Sequence, residues 1–141
     1  QYLHPSLLAF DAPSREECTA ERVRSSTPLQ SLVLLNDPTY VEAARMLADR
    51  ILSLKDRSDA ERLNELFRIA LSRPIREQEE KVLLALIAKH RAEFASEPAS
   101  AQGLVGIGAT KANSAVVDEE RAAWTSAVRA VFNLHAFVTR Y

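Results

Sequence analysis

The chain has 141 residues, 47% hydrophobic and 26% charged, with 18 basic and 19 acidic side chains and a formal net charge of −1. That length supports one domain with a sizeable buried core, and the composition is neither disordered nor fibrous. No basic footprint for nucleic acid exists, and the longest apolar run, residues 82–88, is far too short to cross a bilayer.

All three glycines, Gly103, Gly106 and Gly108, fall within one short stretch, and no Asn-Gly or Asp-Gly pair occurs. A β-rich chain would need more positive-φ turns than that, so the sequence reads as all-α: a compact helical bundle of about five helices behind an extended N-terminal strap. Residues 1–27 form the irregular strap, with Pro5, Pro13 and a dense mixture of charges. Residues 28–95 are the expected helical core, 96–117 a flexible connection and 118–141 the closing helix.

Three helix starts are well marked. Thr27-Pro28-Leu29-Gln30 places a hydroxyl at the N-cap, proline at N1 and glutamine at N3. Asp37-Pro38 repeats the device with a carboxylate. Ser58-Asp59-Ala60-Glu61 is a second capping box. The predicted helices run 28–36, 38–55 and 59–72. Val41, Ala44, Leu47, Ala48, Ile51 and Leu52 make one apolar stripe, and Leu63, Leu66, Phe67, Ala70 and Leu71 another. A fourth helix at 76–95 places Val82, Leu83, Leu86, Ile87, His90 and Phe94 on one face. It starts with Arg76 at the cap and a first turn rich in glutamate, which suits the helix dipole. Residues 98–117 begin with a short helix after Pro98 and then loosen. The last helix, 118–134, buries Ala123, Trp124, Ala127, Val128, Val131 and Phe132, with one more short turn before Tyr141. No segment recurs at the period of tetratricopeptide repeats, so a bundle fits better than a solenoid.

Chemistry-bearing motifs are sparse. Cys18 stands alone, without an internal disulfide partner or a Cys-x-x-Cys motif. His4, His90 and His135 are scattered, with no metal-ligand spacing, and His90 reads as a hydrogen-bonded core residue. The glycine triplet matches neither a dinucleotide fingerprint nor a Walker loop, so a helix C-cap leading into a connection explains it. No nucleophile elbow is present, and adjacent acids such as Glu16-Glu17 are solvated helix-start charges. The expectation is a chain that holds no cofactor or metal and has no catalysis of its own. The most suggestive residues are Asp11, Arg15, Cys18, Arg22 and Arg24. They are read as a strap pinned to the helices by arginine forks, or as one wall of a cleft completed from outside the chain. The chain starts at Gln1 with no apolar leader before the fold, so the sequence reads as a processed product or a fragment of something longer.

Phe10-Asp11-Ala12-Pro13, Arg15-Glu16 and Cys18 begin a pattern. It continues through Ser26-Thr27-Pro28-Leu29-Gln30, Leu32, Leu34-Leu35-Asn36-Asp37-Pro38 and Val41-Glu42-Ala43-Ala44-Arg45. Phe67-Arg68, Ala70-Leu71, Arg73-Pro74, Ala122-Ala123-Trp124-Thr125 and Asn133-Leu134 extend it across the chain. The pattern resembles a planctomycete-specific domain of unknown function that closes large exported proteins, often ones that also carry a cytochrome c-like domain. The resemblance implies a C-terminal portion, an exported location in the periplasm or cell envelope, and haem in an upstream domain rather than in this chain. Its implied partners are upstream domains of the same polypeptide or another protein. Two departures stand out: His135-Ala136 replaces an acidic pair, and Arg76 replaces a small hydroxyl residue. The expected role is a non-catalytic structural or interaction module. The alternatives are part of an oxidoreductase or polysaccharide-related active site completed upstream, and an independent adaptor of tetratricopeptide style.

Overall fold

Helix starts and apolar stripes translate directly into the architecture of the computed structural model, which describes residues 3–13, 20, 25, 27–111 and 115–139. In chain order the helices are α1 (Pro5–Ala9), α2 (Pro28–Asn36), α3 (Pro38–Leu52), α4 (Asp59–Leu71), α5 (Glu77–Ser96), α6 (Pro98–Val105), α7 (Asp118–Phe132) and α8 (His135–Val138). The fold is all-α, as the glycine distribution implies. More helices form than the expected five because three short ones, α1, α6 and α8, are added to the long ones.

The strap is therefore not wholly irregular. α1 starts at Pro5, whose fixed φ suits the first helical position, and the His4 imidazole accepts the Ser6 N–H at 3.3 Å. After Pro98 the expected short helix appears as α6. Its Ala101 and Val105, four residues apart, are buried against Ala122 of α7, with Phe94 and Leu104 packed beside them.

α7 is the hub. It touches every helix from α2 to α6 and also α8. Ala122, Ala123 and Ala127 are small enough for neighbours to close on several sides, and each is fully buried. In a solenoid each repeat would meet only its neighbours, so this central helix marks a bundle. The main core gathers Ile51, Leu63, Leu66, Phe67, Leu83, Ile87, Trp124, Val128 and Val131, with Leu47 half-buried at its margin. The stripes of α3, α4 and α7 face inward as their spacing predicts. Val82 does not: it is 68% exposed. An apolar run of seven residues must wrap around its helix: Leu83 and Ile87 are buried, and Leu84 and Leu86 are half-buried against the core.

Two of the three capping predictions hold. Asp37 Oδ1 accepts the Thr39 N–H at 2.9 Å, and its other oxygen accepts the Ser6 hydroxyl. Ser58 and Glu61 form the reciprocal box, with the Ser58 N–H donating to Glu61 Oε2 at 2.8 Å and the Glu61 N–H to Ser58 Oγ at 3.3 Å. Thr27 corrects the third: its side chain makes no cap hydrogen bond. Gln30, the residue needed to complete that box, is buried and turns its amide to the Ser25 carbonyl at 3.0 Å. Pro28 alone sets the start of α2. At Arg76, where no hydroxyl is available, Glu79 Oε2 accepts the Arg76 N–H at 3.0 Å.

Candidate functional site

Of the five residues singled out in the strap, Arg15, Cys18, Arg22 and Arg24 lie outside the described residues. Asp11 is described, and it works as a staple. At φ 54° it bends the chain after α1, and its carboxylate accepts the Ser25 N–H at 2.7 Å and the Ser25 hydroxyl at 2.7 and 2.9 Å. With Gln30 on the Ser25 carbonyl, a polar chain from Asp11 through Ser25 to Gln30 ties the strap to α2. Nothing in the sequence singles out Ser25, and Gln30 reads there only as part of a helix cap.

Among the described residues, arginine forks pin irregular backbone at Thr110 and Val116. Arg45 and Arg121 are each only 1% exposed. Arg45 donates to the Thr110 carbonyl at 2.6 Å, with Glu42 and Asp49 each 3.7 Å away. Arg121 donates to Asp49 at 2.7 Å, to the Val116 carbonyl at 2.9 Å and to Asp118. Glu42 accepts the Thr110 N–H at 2.6 Å, and hydrogen bonds from Thr110 and the Ala109 amide hold its carboxyl below the usual range. Gly108 makes this possible: at φ 106° it passes so close to Glu42 that a Cβ would lie 2.4 Å from the carboxyl carbon. A sequence signal existed, since Arg45 and Arg121 sit where the apolar stripes of α3 and α7 call for a hydrophobic residue.

A second clasp joins three helices. Arg91 of α5 forks onto Glu120 of α7 at 2.5 and 2.6 Å and reaches Asp59 of α4 at 2.7 Å. Glu120 also accepts the Trp124 indole N–H at 2.9 Å. The Arg91 hydrogen bond lowers the Asp59 carboxyl, and Glu120 and Asp59 raise the Arg91 guanidinium. Arg73 forks onto Glu79 at 2.6 and 2.9 Å above the Phe67 ring, its carbon 5.1 Å from the ring centre. That fork drives the Glu79 carboxyl down to about 2. The Asp59 and Glu79 carboxylates stay ionised and engaged at neutral pH. Their geometry is that of clamps rather than of acids or bases poised to exchange protons.

The histidines are apart. His4 caps α1, while half-buried His90 has Nδ1 3.0 Å from Glu93 and stacks on Phe94 at a centroid distance of 5.8 Å. Exposed His135 opens α8. Among the described residues no group of three or more His, Cys, Asp or Glu side chains could hold a metal. Among the described residues no helix is long and apolar enough to cross a membrane.

The surface offers two apolar features instead. An open cavity of about 570 Å³ lies between α5 and the end of α7, lined by Phe67, Val82, Leu83, Leu86, Val131 and Leu134 among others. At the other end, Leu7 and Leu8 of α1 and Leu29 and Leu32 of α2 are each more than half exposed. α2 carries no charged residue, and only Gln30 and Leu34 are buried beneath it. A helix apolar around most of its circumference belongs to an interior, yet here one side faces solvent.

Residues 1–87 match the model of a protein family, PSD1, described as a protein of unknown function (DUF1553). No curated protein and no solved structure matches the chain.

Proposed function

The chain belongs to the PSD1 family of unknown function (DUF1553), and from that premise we propose that it is a non-catalytic interaction module packing against other domains of a larger protein. The observation that carries the reading is the uncharged outer face of α1 and α2, with Leu7, Leu8, Leu29 and Leu32 each more than half exposed. Contiguous apolar patches of this kind mark surfaces that another protein element covers. The engaged state of Glu42, Asp59 and Glu79 supports the non-catalytic part: each serves a backbone amide or a guanidinium. Catalysis would ask for groups free to exchange protons within a shielded pocket.

The finer setting belongs to the same proposal. The larger protein is exported and cytochrome-linked, of the planctomycete kind that the sequence pattern resembles, and haem resides in an upstream domain. The covering element is then an upstream domain of the same polypeptide.

The test is association between this chain and the upstream region of its full-length polypeptide, produced separately and mixed in a titration calorimeter. Binding is expected. Replacing Leu29 and Leu32 together by Glu should weaken it by roughly tenfold or more while leaving the helical circular dichroism unchanged. Absence of binding between two folded partners, or substrate turnover by the isolated chain, would overturn the reading.

A further inference from the structure

Among the described residues, buried and half-buried arginines follow a rule. Arg45, Arg62, Arg73, Arg91 and Arg121 each have a carboxylate within ion-pair distance. Arg129 of α7 breaks it. It is half-buried, and among the described residues it has no carboxylate partner. Its one hydrogen bond goes from a terminal nitrogen to the Leu35 carbonyl in the last turn of α2. Burial pushes the guanidinium down from its ordinary value, with nothing opposing the push.

Capping α2 explains one donor, because a guanidinium suits the negative end of a helix. It leaves the others unexplained. Arg129 Nε is buried without a partner; Arg45 Nε and Arg62 Nε are too, but those two guanidiniums have carboxylates beside them. The other terminal nitrogen of Arg129 makes no hydrogen bond and is not sealed from solvent. A desolvated cation with idle donors is costly to maintain unless an anion completes it.

The location names the source of that anion. Leu29, Leu32 and Leu35 recur every three residues along one side of α2, and the stripe ends at the carbonyl that Arg129 holds. The nearest acid along the chain, Asp37, is occupied by Ser6 and Thr39. An element lying on this stripe therefore meets an apolar face, then an unpaired guanidinium. We propose that Arg129 is the anchor for a carboxylate carried by the protein segment that covers the leucine face of α1 and α2. This rests on the interaction-module reading and adds a polarity to it: apolar side chains over Leu29 and Leu32, and an Asp, Glu or terminal carboxylate at Arg129. The terminal nitrogen that is not sealed from solvent can donate to that carboxylate, and a charge pair at one end of the leucine stripe would also set the segment's direction.

Two measurements decide it. In the ¹⁵N-labelled chain, sodium acetate is titrated against sodium chloride at matched ionic strength, and the Arg129 and Arg91 Nε–Hε signals are followed. Acetate should shift Arg129 at least twofold more than Arg91, which Glu120 and Asp59 already saturate. Equal or smaller movement of Arg129 overturns the anchor. In the association experiment, Arg129→Met and Arg129→Lys should each weaken binding by about tenfold with the leucines intact. Wild-type affinity in both variants also overturns the anchor, even where Leu29 and Leu32 prove essential. If the upstream region does not bind at all, the interaction reading falls while the acetate titration still decides whether Arg129 takes a carboxylate.

Discussion

Around α7, Arg91 and Arg121 each engage two carboxylates, whereas Leu29 and Leu32 of α2 are each more than half exposed and Arg129, which holds the end of α2, has a single backbone oxygen. In the first region the core side chains are buried and these two guanidiniums are matched by carboxylates. The second has the composition of an interior surface without the cover. Completed regions hold a fold together, and incomplete ones are where a further element acts. The two should therefore answer differently to substitution.

The sharpest contrast comes from the core. Phe67 is fully buried between α5 and α7 and lies beneath the Arg73 guanidinium. Phe67→Ala should cost about 3–5 kcal/mol in a reversible denaturant melt. A loss below about 1 kcal/mol would contradict the assignment of this half as the stabilising one. Next comes the latch that Glu42 and Arg45 make on residues 108–111. Gly108→Ala combines a strained backbone with a collision against Glu42 and should cost about 1–3 kcal/mol. Gly103→Ala is the control: it lies within α6, nothing stands within 4 Å of its Cβ direction, and it should stabilise by about 0.4–1 kcal/mol. Equal effects at both glycines would break the account of the latch.

The caps bring the comparison into the N-terminal region. Asp37→Ala removes a side chain bonded to Thr39 and Ser6 and should cost about 0.5–2 kcal/mol. Thr27→Ala removes no cap bond and should stay within about 0.5 kcal/mol in the same melts. An equal loss at both sites would restore the hydroxyl cap that the sequence suggested.

That difference between Thr27 and Asp37 shows how far the sequence could be read. Both precede a proline, and both carry a capping side chain. What separates them is Ser25, which draws Gln30 away from the box. That contact depends on where the strap from Asp11 runs, so no local pattern contains it. Apolar spacing was more informative: the stripes of α3, α4 and α7 all face inward, because a helix with one apolar side has only one way to bury it. On α5 the apolar run was too long to reveal a side, and Val82 was misplaced. The strap is expected to hold arginine forks because charges crowd there, and Arg15, Arg22 and Arg24 lie outside the described residues. Among the forks that are described, those of Arg45 and Arg121 come from positions within apolar stripes, which is a signal the sequence offers. The exposure of Leu29 and Leu32 could not be read from sequence at all, since a leucine covered by its own domain and one awaiting a partner look alike in one chain.

The claim that the leucine face is an unfinished interface is tested most directly by hydrogen–deuterium exchange, comparing this chain alone with the same residues inside the full-length polypeptide. The account predicts that amides in α2 exchange markedly more slowly in the full-length protein, while those in α4 and the middle of α5 are unchanged. Identical exchange of α2 in the two forms would contradict it.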